Sequence, residues 1–101
     1  AYTLDFSQNN IFFVYANQTL VITLPAASAV AKMFGYSALP SDFAYVFTFI
    51  YNYSYGNTLF FQNIRGFDGK LFNASMNGGD VLCLMIANFP DFHYQLLWKG
   101  N

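Results

Sequence analysis

Cys83 and His93 are the one cysteine and the one histidine of this 101-residue chain, and their separation decides whether a nucleophile–base pair is available. A thiol is activated by an imidazole within about 3 Å. If Val81–Ala87 and His93–Trp98 form a hairpin around Phe89-Pro90, His93 falls opposite Ala87 and Cys83 opposite Leu97. Four residues along a strand is roughly 13 Å. That argues against a dyad within the hairpin and leaves one between subunits open. Cys83 sits in Val81-Leu82-Cys83-Leu84-Met85-Ile86, where a small buried hydrophobe is expected, and a lone cysteine excludes an internal disulfide.

The remaining chemistry is sparse. Five Asp, no Glu, one His and one Cys supply no cluster with zinc-ligand spacing. Asp68-Gly69 and Asn77-Gly78-Gly79-Asp80 could offer oxygens to a cation, but neither repeats its acidic ligands, and tight turns account for both. Gly78-Gly79 lacks the following Lys and the strand-to-helix setting of a phosphate loop. The four cations Lys32, Arg65, Lys70 and Lys99 are scattered, which disfavours nucleic acid as a partner. No catalytic, metal or cofactor site is therefore expected.

Two patterns point to recognition instead. Tyr51, Asn52, Tyr53, Tyr55 and Asn57 gather at an expected hairpin tip, with Tyr45 earlier in the same strand. Rings that stack on sugar faces beside amides that meet hydroxyls suit a host surface glycan; the same side chains suit ordinary packing or subunit contact. Asn17, Asn52 and Asn73 begin N-x-S/T sequons, acceptors of glycans in a secreted glycoprotein.

The elements that would position these groups read as one β-domain over residues 1–101. Nine charged residues and 22 aromatics (13 Phe, 8 Tyr, 1 Trp) leave the chain short of groups that keep a surface wet, since an average domain is about 25% charged. Asn, Ser, Thr, Gln and Tyr must supply polarity, or other copies must cover the surface. No run of 18 or more apolar residues suggests a membrane span. The opening Ala1-Tyr2-Thr3-Leu4-Asp5 reads as a strand rather than a signal peptide.

Turn signals recur about every eight to twelve residues, the rhythm of a sandwich or small barrel. The spacing predicts strands at Thr3–Phe6, Ile11–Tyr15 and Thr19–Leu24, the three capable of forming a meander. Further strands are predicted at Tyr45–Tyr53, turning through Tyr55-Gly56-Asn57 into Thr58–Ile64, and at Lys70–Asn73, Val81–Ala87 and His93–Trp98. The fold class is all-β: an antiparallel β-sandwich or small barrel of about eight strands. In the 26–34 connection, Pro25 and Gly35 flank a stretch open to either a two-turn helix or an irregular crossover.

Several strands are apolar on both faces. Val81, Cys83 and Met85 alternate with Leu82, Leu84 and Ile86, and Val46, Thr48 and Ile50 with Phe47 and Phe49. A half-solvated strand alternates with polar residues, so these need a second cover. A neighbouring subunit is the simplest, and a helix or loop of the same chain is the alternative. Phe47, Phe49, Phe60, Leu82, Leu84 and Ile86 are the candidate assembly interface.

Thr23-Leu24-Pro25-Ala26-Ala27-Ser28 resembles the strand end of small β domains in bacteriophage tail fibres and other virion appendages. In those domains an F-x-F-x-N-x-S strand, a glycine-bearing turn, a G-x-x-V-x-L strand and a closing strand ending in Trp follow. The counterparts here are Phe47 to Ser54 with Asn52, Ile64 to Gly69, Gly79-Asp80-Val81-Leu82-Cys83-Leu84, and Trp98. The match spans residues 19 to 98, with extra aromatics and a longer connection between Ser28 and Phe43. The resemblance implies a β-sandwich, commonly trimeric, that serves at the virion surface as a capsid or tail fibre, spike or decoration beside other virion proteins, with no catalytic residue to carry over. The expectation is thus a non-enzymatic virion structural protein and homotrimer; a glycan-binding tip domain and a secreted glycoprotein are the alternatives.

Overall fold

The structure is a computed structural model that describes residues 4–52 and 56–101. Its elements in chain order are β1 (Ile11–Val14), β2 (Leu20–Ile22), α1 (Ala27–Met33), β3 (Ala44–Tyr51), β4 (Leu59–Arg65), β5 (Leu71–Met76), β6 (Val81–Ala87) and β7 (His93–Gly100). The chain is mostly β, as its turn rhythm indicates, but the sheet is mixed rather than antiparallel. Its order is β1-β3-β6-β7-β4-β2, with β5 also paired to β4. The pairs β1–β3, β2–β4 and β4–β7 are parallel, and β3–β6, β6–β7 and β4–β5 antiparallel.

The expected meander is corrected by this topology. β1 and β2 do not pair with each other; each joins in parallel a strand that comes after α1, and parallel pairing needs such a long crossover. The expected β3-to-β4 hairpin is likewise absent, because β3 lies between β1 and β6. Leu4 to Phe6 is not a strand. Asp5 Oδ1 accepts the Ser7 amide at 3.0 Å and the Ser7 hydroxyl at 2.6 Å, a local turn that competes with extended pairing. Phe6 instead plugs the core, its ring 4.5 Å from Phe47 and 5.8 Å from Phe12.

The sheet curls into a half-barrel. β3 and β4 stand three places apart in the strand order, about 14 Å on a flat sheet. Yet Phe49 of β3 and Phe61 of β4 stack with ring centroids 4.7 Å apart and planes 28° apart. Only a curled sheet brings them together. Two bulges contribute, since an extra residue bends and twists its strand. One breaks the β4–β5 register between Phe61 and Ile64, the other the β6–β7 register between Cys83 and Leu84. In the first, Asn63 has φ 60°, a left-handed conformation that Asn tolerates better than most residues. The extra residue lets Ile64 follow Phe61 into the core and leaves Asn63 exposed.

The 26–34 connection is helical at Ala27–Met33. Pro25 precedes the N-cap Ala26 and does not occupy the first helical position. The C-terminus closes as a Schellman motif: Tyr36 N–H donates to the Ala31 carbonyl at 2.8 Å and Gly35 N–H to the Lys32 carbonyl at 3.2 Å. Gly35 takes φ 80°, which suits glycine. Val30 and Ala31 are the helix's buried residues.

Tyrosine hydroxyls fasten loops to the sheet. Tyr45 donates to the Phe6 carbonyl at 2.7 Å, Tyr51 to Asn57 at 2.9 Å and Tyr94 to Pro25 at 2.6 Å. Each lets a large ring stay buried or half-buried with its polar end satisfied.

Candidate functional site

The Cys83–His93 geometry comes out as the hairpin register requires, with one change. His93 pairs with Ala87, but Cys83 pairs with Trp98 rather than Leu97, because Leu97 is the extra residue of the β7 bulge. His93 sits at one end of the ladder and Cys83 four residues along β6 from its partner Ala87. His93 is buried, and its Nδ1 lies 2.8 Å from the Asp91 carbonyl oxygen. Asp91 in turn forms a two-point pair with Arg65, at 3.1 and 2.9 Å. That hydrogen bonding holds the Asp91 carboxyl below its ordinary range and pushes the Arg65 guanidinium up. The pair is exposed, so it acts as a surface clasp between β4 and the β6–β7 turn.

The acidic turns are occupied by their own backbones. Asp80 Oδ2 accepts the Asn77 amide at 2.8 Å and lies 3.7 Å from Lys99 Nζ. Asp68 Oδ1 accepts the Lys70 amide at 3.0 Å. Among the described residues no three His, Cys, Asp or Glu side chains group as metal ligands would.

At the expected tyrosine tip, Tyr53 and Tyr55 lie outside the described residues. Of the others, Tyr51 is a core residue, 1% exposed, with its hydroxyl committed to Asn57. Asn57 Nδ2 donates to the Ala16 carbonyl at 3.1 Å. Both therefore hold the fold together instead of facing a ligand. Asn52 is exposed, and so are Asn17 and Asn73 of the other sequons.

The candidate assembly residues need a correction of face. Phe47, Phe49, Leu82, Leu84 and Ile86 are at most 1% exposed and lie in the domain's own core, with no surface left for a partner. Phe60, on the opposite face of β4 from the buried Leu59 and Phe61, is half-buried. The alternate residues of the same strands make up the outer face. On it Val46 pairs with Met85, Thr48 with Cys83 and Ile50 with Val81. Ile11 and Phe13 extend the face on β1, in register with Thr48 and Ile50, and Trp98 extends it on β7 beside Cys83.

Among the described residues, the paired positions of this outer face carry no Asp, Lys or Arg. Val46 is 46% exposed, Trp98 52%, Ile11 60% and Phe13 70%. Four strands at about 4.8 Å spacing and some six residues of length give a patch of roughly 19 by 20 Å. A contiguous apolar patch of that size marks an interaction surface more often than solvent-facing sheet. The period-two pattern in the sequence identified both rows; composition alone did not say which row was inside. Comparison with protein-family models, curated proteins and solved structures finds no match to this chain.

Proposed function

We propose that this chain is a non-enzymatic structural β-domain that associates with copies of itself, as a homotrimer, to form part of a virion fibre, spike or decoration. The observation that carries self-association is the uncharged outer face of β1, β3, β6 and β7, with Val46, Ile11, Phe13 and Trp98 open to solvent in the single chain. Covering it removes apolar area from water, a gain of about 25 cal/mol per Å² that ordering and association costs then reduce. The formal net charge of −1 gives little long-range repulsion between copies. The trimer number and the virion setting rest on the Thr23–Ser28 phrase and the patterns that follow it.

Light scattering on the purified chain at micromolar concentration, and again after tenfold dilution, tests the reading. The expected mass is that of three chains at both concentrations, falling to one chain in Val46→Asp and Met85→Asp variants that keep the wild-type circular dichroism. A wild-type chain that is monomeric at both concentrations would overturn it.

A further inference from the structure

The half-barrel does not close, and the gap is apolar. Between β1, β2 and α1 lies a cleft of about 900 Å³. Ligand pockets span about 300–1,000 Å³, whereas packed interiors leave few voids larger than a water. Phe49 and Phe61 form its floor, stacked on each other. Leu20 and Ile22 of β2, Met33 of α1 and Leu4 supply further apolar surface.

Among the described residues no charged side chain lines the cleft, and the polar side chains are Tyr15, Asn17 and Thr23. The Thr23 hydroxyl is already donated to Gln62 Oε1 at 3.0 Å. Tyr15 and Asn17, both exposed, remain at the end where the chain passes from β1 to β2. The arrangement is directional: an apolar body of the cleft, and a hydroxyl and an amide together at one end. Water filling such a space finds few partners, so replacing it with hydrocarbon is favourable.

We infer that this cleft binds an uncharged, chain-like apolar molecule with a single hydroxyl or carbonyl end, the chain lying over Phe49 and Phe61 and the polar end meeting Asn17 and Tyr15. The absence of a cation among the described lining residues sets the charge preference. An ionised carboxylate at that end would meet a hydroxyl and an amide but no cation, and would lose part of its hydration with no opposite charge to offset it. The cleft lies on the opposite side of β3 from the outer face, and the two adjoin at the β1 edge, where Phe13 both lines the cleft and stands in register with Ile50 of the outer face.

The test uses the full chain and the neutral fluorophore N-phenyl-1-naphthylamine, displaced by dodecan-1-ol or by dodecanoate at a pH above the carboxylate range. Saturable binding is expected at one molecule per chain, with dodecan-1-ol displacing it at least about tenfold more effectively than dodecanoate, a ratio worth some 1.4 kcal/mol. Ala29→Trp fills the cleft from an exposed helix position and should weaken binding by a similar factor, while Val46→Asp on the outer face leaves it unchanged. Failure of the wild-type chain to bind the fluorophore saturably, or of dodecan-1-ol to displace it, overturns the inference. So does dodecanoate matching the alcohol. Binding lost in Val46→Asp but kept in Ala29→Trp also overturns it, by assigning the fluorophore to the outer face.

Discussion

Trp98 stands opposite Cys83 and not opposite Leu82. Uninterrupted pairing from Ala87–His93 through Leu84–Leu96 would place Trp98 against Leu82, whose side chain is fully buried. The indole would then have to enter a core already filled by Leu82, Leu84 and Phe49. The extra residue at Leu97 turns it to the outer face, where it is 52% exposed. There the ring folds over Gly100: a Cβ at Gly100 would come within 2.9 Å of it.

Deleting Leu97 should therefore leave Trp98 where it is: it then follows Leu96 directly, keeps its place opposite Cys83 and stays on the outer face. The expected outcome is an unchanged emission maximum from the chain's one tryptophan, with the urea midpoint reporting only the loss of the bulge's local bend and twist. A blue-shifted emission would show that the deletion turns the indole into the core, and that the register of β7 is set by something other than the extra residue.

The two faces of β3 predict opposite phenotypes for neighbouring residues. Phe49 is 1% exposed and touches Phe12, Phe47 and Phe61 through its ring. Phe49→Ala should lower stability by about 3–5 kcal/mol, as large-to-small changes at buried aromatics do. Val46, 46% exposed on the outer face, should tolerate Asp with a change of about 1 kcal/mol or less in the isolated chain while losing the self-association proposed for that face. Urea unfolding and light scattering on the same two variants separate the effects. Comparable destabilisation by both would sink the assignment of faces.

That assignment also marks how far the sequence could be read. Val81–Ala87 is a strand with the bounds its apolar run suggests, and the alternation along Tyr45–Tyr51 separates the rows that the structure puts on opposite faces. Side-chain period is local information, so it survives in the sequence. Which row is inside depends on what α1, β4 and Phe6 pack against, and those contacts are long-range. The same holds for topology: nothing in Ile11–Val14 states that its partner is Thr48–Tyr51 and not the nearer Leu20–Ile22. The Asp5–Ser7 turn was legible in residue type, but a short alternating run masks it. The cleft left no local signal at all, because it is a gap between three elements, each with an ordinary sequence.

Asn63 offers a test of the β4 bulge that is free of packing effects, since the residue is exposed and carries φ 60°. Asn63→Gly should be neutral or stabilising by a few tenths of a kcal/mol, as glycine takes this conformation without a steric penalty. Asn63→Val should cost about 1–2 kcal/mol, because a β-branched side chain is poorly tolerated there. The two chemical-denaturation midpoints check this. A valine variant as stable as the glycine variant would mean that the strand can shift register at no cost, and the inward placement of Ile64 would need another explanation.

Tyr94 gives the fold an alkaline limit with a definite sign. The residue is 6% exposed, its hydroxyl donates to the Pro25 carbonyl at 2.6 Å, and burial pushes its pKa well above the ordinary tyrosine value. Below about pH 10 the phenol is neutral in both the folded and the unfolded chain, and the hydrogen bond should make the wild type about 1 kcal/mol more stable than Tyr94→Phe. Above that pH the unfolded chain releases the proton while the folded chain keeps it. Stability then falls with pH, by up to about 1.4 kcal/mol per unit for this one group. The Phe variant has no such proton to hold. The wild-type advantage should accordingly shrink through pH 10 and reverse by roughly one unit higher, read as the difference in urea-unfolding free energy across the series. A difference that stays flat from neutral to strongly alkaline pH would mean that the Tyr94 hydroxyl reaches water in the folded chain, and that the tie between β7 and the start of α1 opens before the sheet does.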